Sequence, residues 1–363
     1  MASITSLPDI PSRWMQAAKR EKVENSTIHE IDLSSASSIE EEQYLALRVL
    51  WKTQPPKRLD PAKFGLDGWI KKAADMLEPY RSWADYLASF SSELKEGTFA
   101  LPRFYQNKSL SSHIMLYFGP MLQSLSFDVP NEPPSTRNTK SGFESDDTSL
   151  DSTAKDTPLG ERSYGPQELL NLNYPKTKDE QIMNTALVDF LNAFIIHRNF
   201  GSCWTLHRKP FVADFEHGSF EARTDGCLEG EDSESLKTYA IVEVKPMLRT
   251  IHLERISMQE AAEMVAWIKA EPDPSGFVSS CGCRVLVSQD RHEVYLTFAE
   301  YSENYVKYLN NTLGKDESPG FLTLHGFGPW DTDRAGDMKD LGWILLAIAL
   351  RAEMGRREPA PKK

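Results

Sequence analysis

Asp225, Glu243 and Lys245 lie in one stretch, Phe220–Pro246, whose residue types and spacing can do chemistry. The run from Tyr239 to Val244 is apolar and reads as a strand. Period-two geometry sends Glu243 and Lys245 to the same face of it. A carboxylate and an ammonium side by side on a buried strand are costly unless they pair or act. Upstream, a short alternating run ends on Asp225-Gly226, and a polar, acidic segment from Glu229 to Lys237 leads into the apolar run; the pattern reads as two strands joined by a hairpin. In that arrangement Asp225 comes close to Glu243. Two carboxylates and the Val244 carbonyl make an oxygen-rich site of the kind Mg²⁺ or Mn²⁺ takes, with waters and phosphate oxygens completing the shell. Lys245 is then placed to hold or polarise an attacking water.

Asp225, followed eighteen positions later by Glu243-Val244-Lys245, resembles the D…(D/E)-x-K signature of the PD-(D/E)XK nuclease superfamily. Five segments in order, ARTDG, IVEVKP, MQEAAEMVAWI, VLVSQDRHEVYLTFAEY and HGFGPW, are similar to a fungal branch of PD-(D/E)XK nuclease-like proteins and span Asp179 to Arg351. The resemblance implies a restriction-endonuclease-like fold of α+β or α/β class, a mixed central sheet flanked by helices, and metal-dependent cleavage of phosphodiester bonds in DNA or RNA. It also implies that Gln259, early in the helix after the E-x-K strand, hydrogen-bonds the lysine, the metal water or a phosphate. A glutamate on a helix ahead of the strands belongs to the same pattern. Glu180 is the available match and Asn184, one turn later, competes with it; Glu180 also reads simply as a first-turn acid that complements the helix dipole.

These residues need elements to position them. Asp179–Ile196 is an amphipathic helix with Ile182, Ala186, Leu187, Phe190, Leu191 and Phe194 inward. Trp204–Phe211 reads as a first strand carrying His207, Arg208 and Lys209. Ser257–Ala270 is the helix of Gln259, with Ala262, Glu263, Ala266 and Trp267 tracking the same face. Arg284–Val287 and Glu293–Phe298, joined by a turn at Ser288–Arg291, extend the sheet. Asn304–Leu313 reads as a helix, Leu322–Trp330 as a strand and loop, and Asp337–Glu353 as a final amphipathic helix. Arg208, Arg249 and Arg255 are candidate phosphate contacts, with solvated surface charge as the alternative.

The organisation expected is a helical N-terminal region over 1–127, an acidic Ser/Thr/Pro-rich linker or loop over 128–163, the nuclease-like domain over 164–355, and a basic tail over 356–363. In the first of these, Ser38 and Glu41 form a capping-box pattern ahead of a helix running through Trp51 to Pro55. Trp14–Lys22 reads as a short basic helix. Leu66–Leu94 reads as a helical run broken at Pro79, and Ser111–Leu125 as a third apolar helix. This helical unit is a candidate surface for a protein partner. The linker carries too few large apolar residues to offset its ordering entropy.

The chain has 363 residues, 40% of them hydrophobic, and a net charge of −12. That balance argues against a protein that coats nucleic acid non-specifically, though it leaves room for a local basic groove. The N-terminus lacks the order of a signal peptide, and the longest apolar run, Trp343–Leu350, is too short to span a bilayer. The expectation is a nuclear or cytoplasmic protein off the membrane. Four cysteines make no disulfide framework, and Cys281-Gly282-Cys283 has no second pair at zinc-ligand spacing. No P-loop, G-x-S-x-G elbow, G-x-G-x-x-G turn or H-E-x-x-H helix is present. Three readings remain: a Mg²⁺-dependent nuclease, a catalytically inactive nuclease-like fold serving as an interaction module, and a buried ion-pair network formed by Asp225, Glu243 and Lys245 in some other scaffold.

Overall fold

Short runs of β-branched and aromatic residues alternate with amphipathic segments through the second half of the chain, and a mixed sheet with helices on both faces is the result. The computed structural model describes residues 7–111, 180–231, 236–273 and 284–357. The expected linker at 128–163, most of the Ser111–Leu125 stretch, Cys281-Gly282-Cys283 and the tail beyond Arg357 lie outside the described residues.

In chain order the elements are α1 (Pro11–Glu21), α2 (Glu41–Ala46), β1 (Val49–Gln54), α3 (Trp69–Leu77), α4 (Arg81–Ala88), α5 (Ala100–Ser111), α6 (Glu180–Ala193), β2 (Ser202–Thr205), β3 (Pro210–Asp214), β4 (Ser219–Arg223), β5 (Gly226–Glu231), β6 (Leu236–Lys245), α7 (Leu253–Ala270), β7 (Val285–Asp290), β8 (Glu293–Glu300), α8 (Glu303–Leu309), β9 (Leu322–Asp331) and α9 (Ala335–Arg357). Seven strands form one sheet in the order β1-β9-β8-β7-β6-β5-β2, and β3 and β4 form a separate ribbon. β6 pairs parallel with β7 and β1 parallel with β9; the other neighbours in the sheet are antiparallel.

Two cores follow from the pleat. Val242, Val244, Val285, Val287 and Phe298 share one core with Leu187, Phe190 and Leu191 of α6 and Leu341 and Leu345 of α9. Ile241, Leu286 and Leu324 share the other with Trp14 of α1, Ala261 and Val265 of α7, and Tyr305 of α8. Each fully buried Val or Leu contributes about 1.5–3 kcal/mol relative to an exposed one, so both faces of β6 are committed to burial. Glu243 and Lys245 interrupt the second face.

The N-terminal residues differ from expectation. The helix expected from Ser38 to Trp51 is a 3₁₀ turn at Ala36–Ser38, then the short α2, then the strand β1. Arg48 takes a left-handed conformation, φ 54°, which ends the helical path. Val49-Leu50-Trp51 then pairs with Leu322-Thr323-Leu324 as a parallel strand buried on both faces. Such strands read as continuous apolar runs, which is why periodicity alone points to a helix. Trp14, Ala17 and Ala18 of α1 are buried, and the Trp14 indole N–H donates to the Leu45 carbonyl at 3.0 Å. The described residues of 7–111 and 180–357 cluster as one compact unit.

Further along, the Leu66–Leu94 run breaks into α3 and α4 around Pro79, as expected. The first strand expected over Trp204–Phe211 is two strands, β2 and β3, which belong to different sheets. The β7–β8 turn falls at Arg291-His292, two residues beyond the expected centre, because Arg291 supplies the positive φ of 60°. Arg356 lies in α9, paired with Glu353 at 2.7 Å, and does not start a tail. Among the described residues no helix is long and apolar enough to cross a membrane.

Candidate functional site

β6 is the backbone of the site. Its neighbour is not the strand that ends on Asp225: Ser219–Arg223 pairs with β3 in the small ribbon, and β5 begins only at Gly226. Asp225 thus stands at the entry of β5, where its N–H donates to the Val242 carbonyl at 2.9 Å. Gly226 is needed there, because a Cβ would lie 2.5 Å from the Thr205 carbonyl oxygen. The offset keeps the two carboxylates together. Asp225 Oδ2 accepts the Val244 N–H at 3.0 Å, on the edge of β6 to which the Val244 carbonyl also points.

Glu243 and Lys245 project to the α7 face, and Lys245 Nζ donates to Glu243 Oε1. The Gln259 amide donates to the same oxygen at 2.7 Å and to Glu263 Oε1 at 2.8 Å. A single side-chain nitrogen therefore bridges two buried carboxylates. Glu243 Oε2 and Glu263 Oε2 are both buried and accept no hydrogen bond. Glu263 was not among the residues expected at the site, although its place four residues after Gln259 on one helix face is the signal for it.

Electrostatics follow from this crowding. Burial pushes the Glu243 carboxyl well above its ordinary value, and Glu263 and Asp225 push it further. Burial likewise raises Glu263, to about 8, against the pull of Lys245 and Gln259. Burial works against the Lys245 charge, but Glu243, Glu263 and Asp225 outweigh it and hold the ammonium above its usual range. Lys245 is a fixed cation near neutral pH. Three carboxylates face Lys245 and the exposed Arg208, so either a proton or a further cation completes the charge.

The other expected residues divide. Arg208 reaches the site: its guanidinium lies 3.3 Å from Asp225 Oδ1, with the side chain largely in solvent. Asn184 of α6 touches it, donating to the Asp225 carbonyl at 2.9 Å while its own buried Oδ1 accepts nothing. Glu180 is exposed in the first turn of α6. Arg249 is not a phosphate contact. It is 4% exposed and donates to Asp290 Oδ2 at 2.5 Å, to both oxygens of Glu260, and to Ser288 Oγ at 2.9 Å, stacked over the Tyr295 ring. Arg255 is exposed near the start of α7 and lines a different cleft.

Asp225 and Glu243, with the Val244 carbonyl, are the groups that fit a hard divalent ion here, and the unpaired Glu243 Oε2 is the oxygen with capacity to spare. Among the described residues no three His, Cys, Asp or Glu are spaced as a metal cluster. Mg²⁺ sites rely on one or two carboxylates plus water and phosphate, so two suffice. No family model matches the chain, and neither a curated protein nor a solved structure matches it.

Proposed function

We propose that this protein is a metal-dependent phosphodiesterase acting on nucleic acid through Asp225, Glu243 and Lys245. The observation that carries the reading is the pairing of a strand-entry aspartate, docked on the Val244 N–H, with a neighbouring Glu243 whose second oxygen is buried and without a partner. Buried polar groups without partners cost about 1–3 kcal/mol each, which a bound cation or proton would relieve. Bound there, a Mg²⁺ or Mn²⁺ ion would draw charge from a phosphoryl oxygen and lower the pKa of a bound water. Lys245, tethered to Glu243, orients the attacking water and offsets the charge gathering on the phosphate. Gln259 holds Glu243 in place, Asn184 fixes the Asp225 backbone, and Arg208 supplies a cation at the solvent side.

A second reading is favoured by the same contacts. Each member of the D…E-x-K set already has a protein partner: Asp225 has Arg208, and Glu243 has Lys245 and Gln259. Such a set also suits an inactive nuclease-like fold that acts as an interaction module. Calorimetry with Mg²⁺ and Mn²⁺ on the wild type, Asp225→Asn and Glu243→Gln, followed by incubation with DNA and RNA, separates the two. Metal binding that both substitutions remove, with metal-dependent cleavage, supports the phosphodiesterase; folded protein that binds neither ion supports the module.

A further inference from the structure

β1 is a border strand of the sheet, and β9 takes only one of its sides. Successive residues of a strand turn their backbone N–H and C=O groups to opposite sides. The Arg48 carbonyl accepts the Leu322 N–H at 3.1 Å, so residues in step with Arg48 face β9, while Val49, Trp51 and Thr53 face outward. Trp51 agrees with that phase: its N–H donates outward to the Pro8 carbonyl at 2.9 Å. Proline has no N–H to return, so the rung is one-sided. Two residues on, the Thr53 N–H and carbonyl have no hydrogen-bond partner among the described residues, and Thr53 is exposed. A cleft of about 740 Å³ runs beside this open edge, with Thr250–Ser257 as its opposite wall.

The side chains around the edge differ between its two faces. Trp51 packs into the core that α1 and α7 share, so by alternation Thr53 lies on that face and Lys52 on the other. The cleft leaves two aliphatic side chains bare, Leu253 at the start of α7 and Ile10 before α1, 45% and 43% exposed. Its charges lean positive. Asp9 is taken up by Arg13 at 3.0 Å, which leaves Lys52 and Arg255 against Glu254. Thr250–Ser257 closes the far side, so a single extended strand has room between the walls and the sheet edge of a second copy does not.

We infer that this cleft is a strand-addition site for an extended peptide of another protein, one that alternates aliphatic residues with Asp or Glu. The peptide backbone pairs with the Thr53 N–H and carbonyl, its aliphatic side chains meet Leu253 and Ile10, and its carboxylates lie on the Lys52 face. Backbone pairing gives such a site its affinity and the alternating side chains give it selectivity. The site is separate from the Asp225–Glu243 pair and stands whether or not that pair is catalytic.

The test is fluorescence anisotropy of the full chain with labelled, end-capped hexapeptides that alternate Val or Ile with Glu, with the same peptides carrying Lys for Glu, and with the acidic peptides N-methylated along the backbone. The acidic peptides are expected to bind about fivefold tighter than the lysine ones, to slow hydrogen exchange at the Thr53 amide, and to lose binding on N-methylation. Thr53→Pro removes an N–H that β9 does not use, the position where a border strand tolerates proline, and is expected to weaken binding about five- to tenfold, the loss of one hydrogen bond. Leu253→Ser, at an exposed position outside the ladder, weakens it as well and keeps the test open if the proline variant fails to fold. Wild type that binds no peptide overturns the inference, as do lysine peptides that bind as tightly as acidic ones, or binding that N-methylation or both substitutions leave unchanged. Two further outcomes overturn the choice of occupant. Peptide binding seen only after removal of residues 1–6 assigns the cleft to the start of the chain itself, and a concentration-dependent dimer that Thr53→Pro dissociates assigns it to a second copy.

Discussion

Asp225 Oδ2 accepts the backbone N–H of Val244 at 3.0 Å, so one side chain both ends the β5–β6 ladder and aims a carboxylate at the E-x-K strand. Asparagine can keep that acceptor while losing the charge. Asp225→Asn is therefore expected to hold its unfolding midpoint close to wild type yet lose Mn²⁺ affinity at least tenfold. Asp225→Ala, which orphans the N–H and leaves Arg208 unpaired, is expected to cost about 1–3 kcal/mol in denaturant titrations as well. Equal Mn²⁺ affinity in the wild type and Asp225→Asn would remove Asp225 from the metal site.

Lys245 neutralises part of the charge that an incoming cation would meet. Lys245→Met is expected to tighten Mn²⁺ binding and, in the same protein, to slow cleavage by about 10²-fold or more, the scale of a lost transition-state donor. Calorimetry and a gel assay on one preparation read both. Weaker Mn²⁺ binding in this variant would mean that the ammonium orders the site and does not compete with the ion.

Glu263 sets a pH dependence whose sign is fixed. Its carboxyl titrates near 8 in the folded protein against an ordinary 4.5, so the folded state holds this proton more tightly than the unfolded chain does. The stability that the group contributes is complete below about pH 4.5 and is lost as pH rises through about 8. Denaturant midpoints in EDTA are expected to fall over that window, and Glu263→Gln to flatten the fall and gain about 1 kcal/mol or more at its upper end. Saturating Mn²⁺ should offset the loss more strongly at higher pH, because binding displaces the proton. A wild type that becomes more stable across the window would contradict the arrangement.

Arg249 is a folding residue. Arg249→Ala leaves Glu260 and Asp290 buried without their cation, and a loss of about 3–5 kcal/mol is expected on thermal or chemical unfolding. A folded variant with wild-type stability and weakened nucleic-acid binding would return Arg249 to the phosphate-contact role.

Asn184 and Glu180 can be separated directly. Asn184→Ala removes the bond to the Asp225 carbonyl and is expected to lower cleavage and to cost about 1 kcal/mol of stability. Glu180→Ala, one turn earlier and exposed, should change stability by less than about 1 kcal/mol and leave cleavage intact. The reverse ranking in a rate assay would restore Glu180.

The legible part of this site was whatever depends on local geometry. Glu243 and Lys245 share a face because strands have period two, and Gln259 and Glu263 share one because helices repeat near four. Which carboxylate meets which amide depends on how α7 lies across β6, and no local period carries that. Asp225 meets β6 at the Val244 N–H, from the entry of β5 and not from the end of β4. Arg249 reads as a surface cation because Glu260 and Asp290, which neutralise it, come from other elements, 11 and 41 residues further along the chain. Distance likewise hid β1, whose partner β9 comes more than 250 residues later.

That last pairing bears on how the chain reaches its fold. Val49–Gln54 cannot enter the sheet until Leu322–Phe327 has been made, so closure of this edge waits until the chain has left the ribosome through Phe327. Long-range parallel pairing of this kind is slow, and until it forms the β9 edge is open to other chains. A fragment cut to begin at residue 164 would keep every residue of the D…E-x-K set and still lack its border strand, a recipe for aggregation in place of an active core.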